Sequence, residues 1–244
     1  MNKLTIILIA LLISYQATAQ ERERTQIGGR PNIAGDLFLD FGFNFLNNRP
    51  DDLNTRFFAS RVVNIYYQAS IPLGTNTGFS FNPGIGLGLE KLGFQENQTL
   101  IPNPAVGPNS SQLASVRDIY DDVVSIDKNN ISMNYIDIPL ELRYHVNRSN
   151  YNKGFRVAVG GKVGILYNSH TKIAVTDATE TSIQVKNRQD YGFTPIRYGV
   201  FTRIGFPGFS VWSYYGLNGV FQEGKGPFGT EASQFNLGLS VTLF

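Results

Sequence analysis

From residue 34 to the last residue, apolar side chains alternate with small or polar ones in eight segments. A period of two belongs to strands with two unlike faces; an amphipathic helix would repeat every three to four residues. The segments run 35–46, 59–71, 78–93, 131–146, 154–168, 193–206, 208–220 and 233–244. In the first, Leu37, Leu39, Phe41, Phe43 and Phe45 oppose Asp40, Gly42 and Asn44. In the third, Phe79, Phe81, Ile85, Leu87 and Leu89 oppose Ser80, Asn82, Gly84, Gly86, Gly88 and Glu90. Connections alternate in length: long at 47–58, 94–130, 169–192 and 221–232, short at 72–78, 147–153 and 207–208. Pro, Gly, Asn and Ser dominate the short ones, as tight turns require. If all strands are antiparallel, every long connection falls at one rim. The pattern predicts an all-β fold, an eight-stranded antiparallel up-and-down transmembrane β-barrel with short periplasmic turns and long outer loops.

Period two alone would also suit a soluble barrel or sandwich, so the second face decides. In a soluble barrel that face meets water and is rich in Lys and Glu. Here it is mostly Gly, Ser, Asn and Thr, and charged residues are only 16% of the chain. The apolar face is aromatic and nearly free of charge. That combination suits hydrocarbon outside and a narrow bore inside, which eight strands leave just wide enough for side chains to fill. Pro83 and Pro139 sit inside the third and fourth segments, where a missing N–H predicts a bulge or a strand end. Arg61 shares the parity of Val63 and Ile65 and is placed to snorkel toward the headgroups. The 94–130 connection is long enough to be functional or disordered.

Lys3, the apolar run 4–14 and Ala17-Thr18-Ala19 form a signal-peptide pattern with cleavage after Ala19. The run is too short to cross a bilayer as a helix. The domain reading is 1–19 signal peptide, 20–33 exposed N-terminal tail and 34–244 barrel, exported to the outer membrane of a Gram-negative bacterium. No Cys is present, which excludes disulfides, thiolate metal sites, a cysteine nucleophile and lipoprotein anchoring. With two His, a three-histidine metal site is excluded as well. A net charge of +2 with no basic stripe argues against nucleic acid as a partner. No cofactor or metal is expected.

The polar faces hold one candidate constellation. Asp137, Glu141, Arg143 and His145 share a parity on the fourth segment; Arg156 and Lys162 follow on the fifth, Arg197 and Arg203 on the sixth. They could form a polar track, or a catalytic carboxylate–histidine pair. They could equally form a structural network of ion pairs, which buried charges require whatever the function, and that reading is preferred. His145 lies near the short-turn rim, the wrong end for an outer hydrolase. His170 follows Ser169 with Asp177 and Glu180 nearby, a weak catalytic signal, so no catalytic residue is expected. Gly84, Gly86 and Gly88 are not a phosphate loop, since no helix follows; they make room for large side chains opposite. Asn-x-Ser/Thr triplets at Asn97, Asn109, Asn130 and Asn147 are read as chance.

The run Tyr135-Ile136-Asp137-Ile138-Pro139-Leu140-Glu141-Leu142-Arg143-Tyr144, the glycine-aromatic strands, the leader ending Ala19-Gln20 and the terminal Phe244 resemble the PorT-like outer-membrane β-barrel family of Bacteroidetes. The resemblance covers residues 34–244 and implies the barrel fold and an outer-membrane location. A terminal aromatic implies recognition by barrel-assembly machinery, although Phe244 shares the parity of Ser240 and Thr242 rather than that of Leu243. A named family member is associated with type IX protein secretion, which implies secretion or envelope proteins as partners besides outer-membrane lipid. The expected function is a non-enzymatic structural or accessory barrel acting through its outer loops. The alternatives are a narrow passive channel for small solutes and an outer-membrane hydrolase.

Overall fold

The computed structural model describes residues 35–95, 97–120 and 123–243. The leader, the tail and Phe244 lie outside the described residues. In chain order the elements are β1 (Asp36–Asn47), β2 (Arg61–Gln68), β3 (Ile71–Pro72), β4 (Phe79–Gly93), β5 (Gln98–Pro102) and β6 (Ser111–Ser115). A single-turn helix α1 (Val116–Ile119) follows, then β7 (Val123–His145), β8 (Arg156–Asp177), β9 (Ser182–Arg188), β10 (Ile196–Phe206), β11 (Phe209–Gly219) and β12 (Ser233–Thr242).

Eight of these strands close on themselves in the order β1, β2, β4, β7, β8, β10, β11, β12, each antiparallel to both neighbours. The seam joins β12 to β1, with Phe41 opposite Leu239 and Gly42 opposite Gly238. Closure leaves the barrel wall no free edge. The alternation sorts as a membrane wall demands: Phe41, Leu87 and Val159 face outward, 48%, 38% and 54% exposed, while Asp40, Glu90 and Asp137 are buried in the bore. The tightest short-rim turn is Pro207-Gly208, where Gly208 takes φ 101°, the left-handed value that the corner after a proline needs.

Two details differ from the sequence reading. Neither proline bends the wall. The β4–β7 pairing runs from Pro83↔Leu140 to Gly86↔Asp137 in one register, with no bulge at Pro139. At Pro83 it is the neighbour that breaks: β2 stops at Gln68 and resumes as β3 at Ile71 in the same register. The amide of Ala69 still donates to the Pro83 carbonyl at 2.9 Å, so the barrel forgoes a hydrogen bond at the proline and keeps its alignment.

The second difference lies at the outer rim. Much of 94–130 and 169–192 is strand, not loop. β7 and β8 run past the barrel wall as a paired ribbon, and β9 adds a third strand along β8 from His170↔Arg188 to Thr176↔Ser182. At the start of this extension the register slips between Tyr135↔Leu166 and Asn134↔Asn168, leaving Tyr167 as one extra residue on β8. The bulge switches which parity faces outward. Below it Val163 and Ile165 point out; above it Thr171, Ile173 and Val175 are buried while Lys172 lies on the outer face. β5 and β6 pair as a separate hairpin that is tied down by Ser111, whose amide donates to the Lys225 carbonyl at 2.8 Å and whose hydroxyl donates to the Tyr191 carbonyl at 2.7 Å.

Candidate functional site

The bore is built from the small and polar parity of the strands, and its contents are layered. Nearest the short-turn rim, His145 stacks on Tyr151 at 4.2 Å, and Ser80 Oγ lies 3.2 Å from His145 Nε2. The next layer surrounds the fully buried ring of Phe38, which has the guanidinium carbons of Arg203, Arg143 and Arg156 at 4.1, 5.3 and 5.6 Å from its centre. A negative ring face attracts cations most when water is excluded, so one phenyl helps hold three like charges together.

Carboxylates pair with two of them. Arg143 reaches Asp36 at 2.6 Å and Glu141 at 2.7 Å. Arg203 bridges Glu141 at 2.7 Å and Asp40 at 3.1 Å. Arg156 is held by a 2.8 Å hydrogen bond to Thr242 Oγ1 and by Phe38. In the upper half of the bore, Arg197 lies over Tyr135 at 3.7 Å and binds Asp137 at 2.8 Å and Glu90. Lys162 completes the group 3.6 Å from Asp137, 3.1 Å from the Tyr66 hydroxyl and 4.0 Å from the centre of the Tyr214 ring. The Tyr66 hydroxyl donates to Asp137 at 2.6 Å, and the Gln234 amide donates to Glu90.

The structure therefore brings together seven of the eight residues of that constellation, Asp137, Glu141, Arg143, Arg156, Lys162, Arg197 and Arg203, while His145 stands apart against Tyr151 and Ser80. Alone they carry two acids against five bases. The missing acids are Asp36, Asp40 and Glu90, which balance the set. The alternation that marks the bore face also marks Asp40 and Glu90, but each stands alone among Gly, Asn and Ser and so forms no cluster along its strand. Glycines make the space. A Cβ at Gly88 would meet Arg197 Nη2 and come within 2.5 Å of Asp137 Oδ2, and one at Gly164 would come within 2.8 Å of Arg197 Nε.

Two voids, one beside Tyr135, Arg197 and Gln234 and the other beside Asp40, Lys162 and Trp212, each leave about 10 Å³, room for about one water. Above the charges an apolar cluster caps the outer mouth. Ile131 and Met133 of β7, Leu92 of β4, Leu53, Leu100, Phe193 and Phe221 pack there, all buried. This cap is assembled largely by the connections and was absent from the sequence reading, because periodicity says nothing of how connections pack.

The catalytic candidates do not assemble. Ser80 and His145 are both buried, and no hydrogen bond joins His145 to a carboxylate among the described residues. Ser169 Oγ is spent on the Gln189 carbonyl at 2.8 Å, and His170 Nδ1 faces Asn168 Oδ1 at 3.0 Å. Asp177 bonds the backbone and hydroxyl of Thr179 and the amide of Thr181, away from His170; these bonds hold its carboxyl below the usual range. No group of three or more His, Asp or Glu able to hold a metal ion occurs among the described residues.

Residues 19–222 match the family model described as outer membrane protein beta-barrel domain. Among solved structures, the chain is similar to Ail, the attachment invasion locus protein of Yersinia pestis, with 12% identity over 86% of this chain and 99% of that chain and a TM-score of 0.37. It is also similar to a Rhodopseudomonas blastica porin, with 11% identity over 85% of this chain and 98% of that chain and a TM-score of 0.20. No curated protein matches.

Proposed function

We propose, from the premise that this chain belongs to the outer membrane protein beta-barrel domain family, that it is a closed, non-conducting and non-enzymatic barrel. Its task is to hold an ordered crown at the outer face of the membrane for partner proteins. The observation that carries the reading is the charge network of the bore: nine charged side chains interlock in ion pairs across it, Arg156 is held beside them by Thr242 and Phe38, and two voids among them each hold about one water. Open channels keep water between their charges; here the charges bind one another. The crown supplies what a plugged barrel can still offer, a rigid surface of the β7–β8–β9 ribbon and the β5–β6 hairpin on a buried apolar seat. The resemblance around Tyr135–Tyr144 favours secretion or envelope proteins of a PorT-like Bacteroidetes system as the partners. Export by cleavage after Ala19 and insertion by barrel-assembly machinery reading the C-terminal end belong to the same proposal.

A planar-bilayer measurement tests it. The refolded full-length mature protein is expected to give no discrete open state at moderate voltage. A stable conductance with ion selectivity would replace the plugged barrel by the narrow solute channel. Retention of crown-binding proteins from envelope extracts by the wild type, and their loss when β5–β6 is exchanged for a short Gly-Ser connection, is the complementary expectation.

A further inference from the structure

The outer wall carries a charge pattern that the bore does not use. Cross-strand pairing places Arg61 of β2 opposite Lys91 of β4, Lys91 opposite Ser132 of β7, Ser132 opposite His170 of β8, and His170 opposite Arg188 of β9. This is one continuous row across five strands, perpendicular to the strands and so inclined to the membrane plane by their tilt. In the next row outward, Lys172 of β8 pairs with Lys186 of β9. All these side chains lie on the outer face; Arg61, Lys186 and Arg188 are exposed and Lys91, His170 and Lys172 half-buried.

On β4, β7 and β8 the position of the row along the strand is fixed by what lies beneath it. Two pairings below, the outer face is Leu87, Ile136 and Ile165, side chains of the lipid-facing band. Between them stands the row of Leu89, Asn134 and Asn168 at the Tyr167 bulge. Each step of two residues advances roughly 6.5 Å along a strand, so the cations stand just above the hydrocarbon. A second marker agrees. The same row continues from Arg61 to Phe43 of β1. Phe43 stacks on Phe57 at 4.2 Å, and Phe58, 73% exposed, meets Phe57 edge-on at 5.0 Å. Exposed aromatics gather at the boundary between acyl chains and headgroups.

The cations are not neutralised by the protein. Among the described residues, no ion pair includes Arg61, Lys91, His170, Lys172, Lys186 or Arg188. Arg61 donates Nε to the Phe58 carbonyl at 2.6 Å, which fixes its direction and leaves the rest of its guanidinium available. His170 lies beyond the membrane-spanning part of β8. Partial burial and the surrounding Lys186, Arg188, Lys172 and Lys91 hold its imidazole below the ordinary value, a local sign of uncompensated positive charge.

We infer that this row is a binding site for the phosphorylated headgroups of outer-leaflet lipid, with phosphate oxygens on Arg61, Lys91, Lys172 and Arg188 and acyl chains on the wall below. Charge complementarity, the height at the edge of the hydrocarbon and the adjoining aromatic cluster together select a lipid over a soluble anion. The site rests on the outer-membrane placement and is independent of whether the bore conducts.

The test uses the full mature protein in phosphatidylcholine nanodiscs doped with diphosphoryl lipid A, and native mass spectrometry counts the lipid retained. The wild type is expected to retain it preferentially over a dephosphorylated lipid A, more weakly as salt rises. The triple variant K91Q/K172Q/R188Q is expected to bind roughly fivefold less per lost cation, about a hundredfold in all. Ser132→Lys fills the gap in the row and is expected to bind about fivefold more tightly. The heat-dependent shift in gel mobility confirms that each variant is folded, and Ser132→Lys gives a gain that misfolding cannot imitate. Equal retention of the dephosphorylated lipid, or unchanged binding in both variants, overturns the site. Inorganic pyrophosphate binding as tightly as lipid A to the protein in neutral detergent assigns the row to soluble anions and overturns it as well.

Discussion

Arg197→Met is expected to lower the unfolding free energy of the refolded barrel by about 3–5 kcal/mol, the cost of leaving buried charge without its partner. Arg197 joins the upper network. It binds Glu90, donates Nη2 to Asp137 at 2.8 Å and Nη1 to Gln234 at 3.2 Å, and lies 3.7 Å above the Tyr135 ring. Removing it leaves Glu90 with only neutral amide donors, those of Asn44, Gln234 and Asn236. Asp137 keeps Lys162 at 3.6 Å and the Tyr66 hydroxyl at 2.6 Å. Lys162→Met should therefore cost less, because Asp137 retains its shorter bond to Arg197. Adding Glu90→Gln to Arg197→Met should recover part of the loss, with a coupling of about 0.5–3 kcal/mol. Denaturant titration in lipid, read by the single Trp, Trp212, buried in the bore, measures all three. The same experiment separates plug from pore. In a water-filled channel the network would be solvated, and such pairs are worth about 0–1 kcal/mol. A loss of that size for Arg197→Met would count against the filled bore.

The number of barrel strands, their facing and the rim that carries the long connections were all legible in the sequence, because lipid and bore impose opposite chemistry on alternate residues. The same rule stops being informative where the wall leaves the membrane. Before Ile131 on β7 and after Asn168 on β8 the alternation gives way to mixed polar residues, Lys128, Asn129 and Asn130 opposite Ala174, Ile173 and Lys172, so these parts of the strands read as loop. The bulge at Tyr167 also shifts the parity by one, which breaks the pattern where it should continue. Within the bore, parity gave seven of the ten network members and not their pairing. Arg203 meets Asp40 across 163 residues of chain, on a strand that is not its neighbour. Which side chains meet across a barrel depends on strand stagger, and composition along a strand does not encode it. Pro83 and Pro139 misled for a related reason. A missing N–H predicts local disruption, but a closed ring holds each strand from both sides, so the register survives the loss of a bond.

Gly238→Ala is expected to destabilise the barrel by about 3 kcal/mol or more, at or beyond the upper end of overpacking costs. The reason lies in the seam. Gly238 of β12 faces Gly42 of β1, and the two glycines sit in the ring of positions that continues to Trp212. A Cβ built on Gly238 collides with the Phe41 carbonyl oxygen and comes within 2.5 Å of Gly42 Cα and 2.7 Å of the Phe41 carbonyl carbon. These are backbone atoms of the opposite strand, so no rotamer change relieves the clash; β1 and β12 must move apart. They are the first and last strands of the wall, and their pairing is the step that converts an open sheet into a barrel. Separating them exposes backbone donors and acceptors to hydrocarbon, where each unsatisfied group costs several kcal/mol. The loss should therefore appear as incomplete closure, a reduced fraction of the compact, heat-modifiable form, as well as a lower denaturation midpoint. Gly161→Ala provides the control. It lies in β8, away from the seam, where the nearest atom to a new Cβ is the Gly199 carbonyl oxygen at 3.9 Å, an ordinary contact. Its effect should stay within about 0.5 kcal/mol, the range of surface substitutions that touch no special feature. Equal behaviour of the two alanines would show that the seam yields freely, and that closure is enforced by the bore network instead of by close approach of the two terminal strands.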